Sequence, residues 1–313
     1  MMQRRFRWAV LLAAAAVALA ACTENPFDDG EAISAKRNLR GTVAILDTGE
    51  PAAGIYVWLE GVDVGTFTNG EGRFDLELPR AAQQANGGFT GAANLYFFMA
   101  NLVIDSTRII LRNGEFLYAQ GPVDAGGALR EPVQLKKLVD VTTEIVPAVL
   151  FPDFDDTLTM HVRLDVRVDA VDILTKRSET LVDTQMFAQA FLDAGLLTGP
   201  EVRVLSIPTA QPVTRRLNRG VFRDSSAFII SADSIGEGEF IVTPFLWVRQ
   251  PGVPDPLLRS LGTRWGADDP SYLNLPFLRT PDTLLIGAPQ DTTGGGGDET
   301  AALGRPGATR PDL

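Results

Sequence analysis

Hydrophobic and polar positions divide the chain into stretches of different texture. Residues 8–21 form one unbroken apolar run of 14, shorter than the ~18–20 needed for a permanent membrane-spanning helix. Residues 23–38 are polar and show no apolar period, which predicts a flexible tether over 22–38. From Leu39 onward, short β-branched and aromatic runs are punctuated by Gly, Pro, Asn and Asp, the rhythm of an all-β sandwich. Residues 40–46 alternate and are followed by a turn over 47–51. Within residues 54–60, Ile55, Val57 and Leu59 share one face of a strand, with Tyr56 and Trp58 on the other. Residues 94–100 are apolar on both faces, which predicts a central strand. Strands over 108–112, 115–118 and 132–135 follow, and 81–93, rich in Gln, Asn and Gly, reads as a long loop.

Residues 139–289 continue the β texture. The clearest strand in the protein lies at 159–169, where Met160, Val162, Leu164, Val166 and Val168 form an apolar stripe. His161, Arg163, Asp165, Arg167 and Asp169 make the opposite, polar face. Further strands are predicted at 140–146, 201–207, 227–230, 239–243, 245–248 and 283–286. Residues 183–194 have apolar positions 186, 187, 190 and 191 with Gly195 after them, which predicts one short helix with a Gly cap. Residues 290–313 contain four consecutive Gly and no apolar stripe, so this tail is expected to be disordered. The predicted architecture is all-β: a first sandwich over 39–138 and a second, Ig-like or related, over 139–289.

The first domain carries a recognisable pattern. Gly41-x-Val43 is followed by Gly49-x-Pro51-x-x-Gly54-Ile55-x-Val57-x-Leu59, then Gly65-x-x-Thr68-Asn69-x-x-Gly72-x-Phe74, ending at Leu78-Pro79. This stretch resembles the carboxypeptidase regulatory-like domain, a transthyretin-like β-sandwich. Asn69 stands where that family more often has Asp, and both residues suit turns. The resemblance implies a fold but no activity, because its signature residues serve turns and core. In that family the module accompanies a catalytic domain, and none is recognisable in this chain.

The N-terminal apolar run follows a cationic start with Arg4, Arg5 and Arg7, as in a removable secretion signal over 1–21. It ends in Leu19-Ala20-Ala21-Cys22, which resembles the bacterial lipobox, and Cys22 is the only Cys in the chain. That resemblance implies cleavage between Ala21 and Cys22 and acylation of the Cys22 thiol and amine. One acyl chain binds a membrane only marginally, whereas two or three anchor it, at about 0.8 kcal/mol per buried CH₂. Thr23 follows where an Asp would resemble an inner-membrane retention signal, which favours the outer membrane over the inner. The plainer alternative is an ordinary signal peptide cut at an Ala, leaving Cys22 as a free thiol.

Charge narrows the partners. Without a leader carrying Arg4, Arg5 and Arg7, the 28 basic side chains fall to 25 against 39 acidic, a balance of −14. That excess argues against nucleic acid and against electrostatic docking on anionic lipid. A single Cys excludes internal disulfides and thiolate metal cages, and a single His excludes multi-His metal sites. No nucleotide-binding glycine loop and no G-x-S-x-G is present.

Three candidate chemistries remain. Tyr56 and Trp58, facing away from the first core, can stack on sugar rings, or else pack under the second domain or the 81–93 loop. Asp153, Asp155 and Asp156 on one loop are a calcium candidate, since calcium takes oxygen ligands. The loop lacks the Gly and closing Glu of an EF-hand, and a solvated acidic turn is the plainer reading. His161 is a possible general base, but Arg163 and Asp165 beside it suggest a cross-strand ladder. The sequence therefore reads as a lipid-anchored envelope protein that presents β modules to a partner protein or glycan, without cofactor. A carbohydrate-binding lipoprotein using exposed aromatics is the alternative, and a carboxylate-based hydrolase in residues 139–289 is third.

Overall fold

The computed structural model describes residues 36–80, 88–175, 183–188, 203–204, 213–267, 270–280 and 282–287. Among the described residues the regular structure is almost entirely β. Its first part contains β1 (Asn38–Ile45), β2 (Tyr56–Leu59), β3 (Val64–Phe67), β4 (Arg73–Glu77), β5 (Gly91–Phe98), β6 (Asp105–Arg112), β7 (Glu115–Phe116) and β8 (Val133–Leu135). They form two sheets, ordered β4-β1-β8 and β3-β2-β5-β6-β7. Between them lies a core that includes Leu39, Val43, Ile55, Val57, Leu59, Phe74 and Phe97. The expected central strand is β5, paired on both sides, and it begins at Gly91, inside the stretch read as a loop.

Local chemistry explains the tight reversal into β4. The Asn69 side-chain oxygen accepts the amides of Glu71 (3.1 Å) and Arg73 (2.9 Å), an Asx turn. Gly72 follows at φ +69°, where a Cβ would lie 2.4 Å from the Val43 carbonyl oxygen. Thr68 is buried before that turn, donating to the Ala52 carbonyl (2.6 Å) and accepting the Ile55 amide (2.9 Å). The turn residues in the pattern thus close the edge of the sandwich through their own hydrogen bonds.

The second part contains β9 (Val139–Val146), β10 (Val149–Leu150), β11 (Asp155–Thr175), β12 (Asp183–Ala188), β13 (Arg203–Val204), β14 (Val213–Ser231), β15 (Gly238–Phe245), β16 (Trp247–Arg249), β17 (Arg279–Thr280) and β18 (Asp282–Ile286). One sheet runs β10-β18-β15-β12-β13; the other runs β14-β11-β9-β17, with β16 also on β11. Their shared core draws on Val139, Leu158, Met160, Val162, Leu164, Val242 and Leu284. The apolar stripe of β11 is buried from Met160 to Val166, with His161, Arg163 and Arg167 exposed. Val168 is only half-buried, because the register against β14 shifts between Val166 and Ala170 and interrupts the alternation. Three short helical segments complete the described residues: α1 (Ala232–Ile235), α2 (Asp255–Ser260) and a 3₁₀ turn at Pro270–Asn274.

One local reading is corrected and another extended. Residues 183–188 are not helical: they form β12, paired antiparallel with β15 from Asp183 opposite Phe245 to Ala188 opposite Phe240. Cross-strand pairing outweighs a helical spacing only a few residues long. Residues 189–194 of the predicted helix lie outside the described residues. The strand expected at 227–230 is present and forms the end of the 19-residue β14, whose Arg-rich first half carries no clean alternation. The leader with Ala21 and Cys22, most of the tether and the tail also lie outside the described residues.

Candidate binding surface

Tyr56 and Trp58 lie on β2, on the face turned away from the first core, yet both are buried at 6% and 2% exposure. The covering comes from the second part of the chain. Phe245, Trp247, Leu257, Leu258 and Tyr272 close over the pair to form a third apolar core between the two sandwiches. Pro at the first positions of α2 suits the start of a helix, and α2 buries Leu257 and Leu258 there. The Tyr56 hydroxyl shares a hydrogen bond with Ser260 Oγ at 3.0 Å, and Trp58 Nε1 donates to Asp63 at 2.9 Å. Burial, more than the Ser260 hydrogen bond that opposes it, holds the Tyr56 phenol above its ordinary pKa. Gly65 lies opposite Trp58, and a Cβ there would sit 2.2 Å from the Tyr56 hydroxyl, so only Gly lets that ring lie flat on β3. The pair therefore has no free ring face for a sugar, and the exposed-aromatic reading is corrected.

Two amide side chains stitch the same seam. Asn101 is fully buried; its Nδ2 donates to the carbonyls of Val139 (2.9 Å) and Leu278 (2.6 Å), and its Oδ1 accepts the Leu278 amide (2.9 Å). Gln250 reciprocates from the second part, donating to the Met99 (3.3 Å) and Ala100 (2.8 Å) carbonyls and accepting the Ile104 amide (2.8 Å). Each hydrogen-bonds backbone groups of the facing part of the chain, so the seam is held by polar as well as apolar contacts. Sequence reasoning missed both, since an isolated Asn or Gln in a turn carries no pattern.

The outward face of the long sheet is polar. His161 on β11 lies between Glu144 on β9 and Ser225 on β14, and the next row aligns Thr142, Arg163 and Arg223. These residues line an open groove of about 650 Å³. Further along, Asp140 takes Lys137 at 2.9 Å and Arg167 at 2.8 Å. Burial disfavours the charged carboxylate, but the hydrogen bonds from Lys137 and Arg167 outweigh it and hold the Asp140 pKa below the ordinary range. His161 thus sits in a cross-strand polar ladder with Glu144 and Ser225 as its register partners.

Asp153, Asp155 and Asp156 are exposed on and after the turn in which the Phe154 amide returns to the Phe151 carbonyl (2.9 Å). Asp155 and Asp156 are successive strand residues and project to opposite faces, and Asp156 hydrogen-bonds the Thr157 amide (2.7 Å). The structure does not bring the three carboxylates together: among the described residues no group of three His, Cys, Asp or Glu side chains is placed to hold a metal ion. Among the described residues no helix is long and apolar enough to cross a membrane.

No family model matches the chain, and no curated protein matches it. Among solved structures, the major pilin subunit BcpA of Bacillus cereus aligns at 11% identity with a TM-score of 0.24, over 68% of this chain and 66% of its own. A Streptococcal ancillary pilin aligns at 13% identity with a TM-score of 0.23, over 82% of this chain and 60% of its own. The chain thus spans just under two thirds of these proteins, and likeness of this degree carries no inference about function.

Proposed function

We propose that the protein is a lipid-anchored component of the cell envelope with a non-catalytic role, holding two joined β-sandwiches off the membrane for a partner. The lipobox-like ending at Cys22 supplies the anchor and residues 22–38 the tether. The carboxypeptidase regulatory-like pattern of the first domain belongs to this reading as a module of turns and core. The observation that carries the proposal is the buried seam around Tyr56, Trp58, Trp247 and Tyr272. It makes the two sandwiches one body, so the faces turned outward keep a set orientation to each other. Large apolar interfaces of this kind suppress the relative domain motion that is otherwise the default.

The test is acylation and fractionation of the full chain. Wild type is expected to incorporate an alkyne-labelled fatty acid and to sediment with membranes, whereas Cys22→Ser remains unlabelled and is not processed at residue 21. A Cys22→Ser variant that matures and partitions like wild type would overturn the anchoring.

A further inference from the structure

Val149, Phe151 and Leu285 are exposed at 53%, 50% and 45%, although all three are large and apolar. Val149 pairs with Leu285 in the parallel register of β10 and β18, and Phe151 follows directly after β10, two residues beyond Val149. β10 is the edge of its sheet and has no strand partner on its open side among the described residues. A sheet edge that carries exposed apolar side chains is a template for another chain unless charge protects it.

The charge around this edge has a single sign. Asp153, Asp155 and Asp156 follow Phe151, and Glu239 lies beside Leu285 in the β15–β18 register. Residues 147–162, 229–243 and 282–287, which carry the edge and the strands beside it, contain seven Asp or Glu and no Lys or Arg, while Arg163 and Arg223 lie further along β11 and β14. The only basic residue in the described strands of this sheet is Arg203, on β13 at the opposite edge. Such a surface rejects an acidic partner and favours one whose apolar side chains are interleaved with Lys or Arg.

We propose that the β10 edge, with Val149, Phe151 and Leu285 at its centre and Asp153, Asp155, Asp156 and Glu239 at its rim, docks an extended segment of a partner protein that alternates apolar and basic residues. The apolar centre takes one face of the segment by strand addition, and the carboxylates pair with its cationic side chains. The three carboxylates thereby acquire a role that needs no metal. This proposal rests on the reading of the chain as a non-catalytic presenter, but its test does not involve Cys22, so either can fail without the other.

The probe is a fluorescent nonapeptide, Lys-Val-Thr-Val-Lys-Val-Thr-Val-Lys, with an acidic twin carrying Glu at each Lys position. Anisotropy titration of the full chain in detergent is expected to show saturable binding of the basic peptide and none of the acidic one. Phe151→Asp should weaken binding at least about tenfold, as for a central contact residue. Leu285→Asp, read in parallel, guards against misfolding of the first variant. The triple change Asp153→Asn/Asp155→Asn/Asp156→Asn should weaken binding about tenfold and flatten its salt dependence. Equal binding of both peptides, or affinity unmoved by both Phe151→Asp and Leu285→Asp, would overturn the proposal. So would self-association of the wild type that Phe151→Asp abolishes, since the edge would then be covered by a second copy.

Discussion

Tyr56 and Trp58 on β2, and Val149 and Phe151 at β10, are the same kind of element: apolar side chains turned away from the core of their own sandwich. Their fates are opposite. The first pair is buried under α2, β16 and the 3₁₀ turn, while the second remains half open to solvent. Nothing in the local alternation separates them. What differs is whether a distant segment returns to cover the face, and for Tyr56 that segment lies 204 residues on, at Ser260. A covered apolar face becomes a joint within the molecule; an uncovered one remains available to a partner.

The sharpest way to break this contrast is to cut the covered pair. Trp58→Ala removes one of the largest fully buried side chains and is expected to lower stability by about 3–5 kcal/mol. Denaturant unfolding should show it, with the single transition separating into two if the seam holds the sandwiches together. Asn101→Ala comes next. It strands two carbonyls and one amide in the seam and should cost about 2–4 kcal/mol, measured in the same way.

Tyr56→Phe keeps the ring and loses only the Ser260 hydrogen bond, so about 1 kcal/mol is expected. It also carries a pH signature. A phenol whose folded pKa is raised contributes stability below its unfolded value near ~10 and loses it as pH rises through the folded value. The wild type should therefore weaken on the alkaline side more steeply than Tyr56→Phe in pH-stepped thermal melts. Asp140→Asn, on the solvent-facing ladder, is expected to cost about 1 kcal/mol at neutral pH. Its folded pKa is depressed, so its contribution is present above the ordinary carboxylate value near ~3.9 and vanishes as pH falls through the folded value. The difference between wild type and Asp140→Asn should close there. At the other pole of the comparison, Phe151→Asp is expected to change stability by no more than about 0.5 kcal/mol. A large loss at Phe151 would mean that its face is covered after all.

Much of the β class is legible in the chain because its signals are short-range. The alternation of β11 follows from strand geometry, and the Asn69–Gly72 turn closes through hydrogen bonds among residues at most four apart. The burial of Ile55, Val57 and Leu59 likewise follows from one face of β2. The helical expectation for 183–194 rests on apolar positions 186, 187, 190 and 191, a spacing barely three turns long, and pairing with β15 makes its first six residues a strand. β14 was seen only at its end because Arg215, Arg216, Arg219 and Arg223 mask the alternation, while β11 holds the backbone in register throughout.

The candidate surface was less legible than the fold. Asp153, Asp155 and Asp156 stood out as a cluster, but their exposure beside Val149, Phe151 and Leu285 depends on β18 arriving from more than a hundred residues away. Asn101 and Gln250 were invisible because their role is to pair backbone groups that become neighbours only when the sandwiches meet. By itself, then, the order of residues determined the strands, their two faces and the tight turns, since each depends on neighbours along the chain. Which faces are covered, and so which are seams and which are free surfaces, was decided only in three dimensions. Burial depends on the segments that pack across a face, and local alternation carries no record of them.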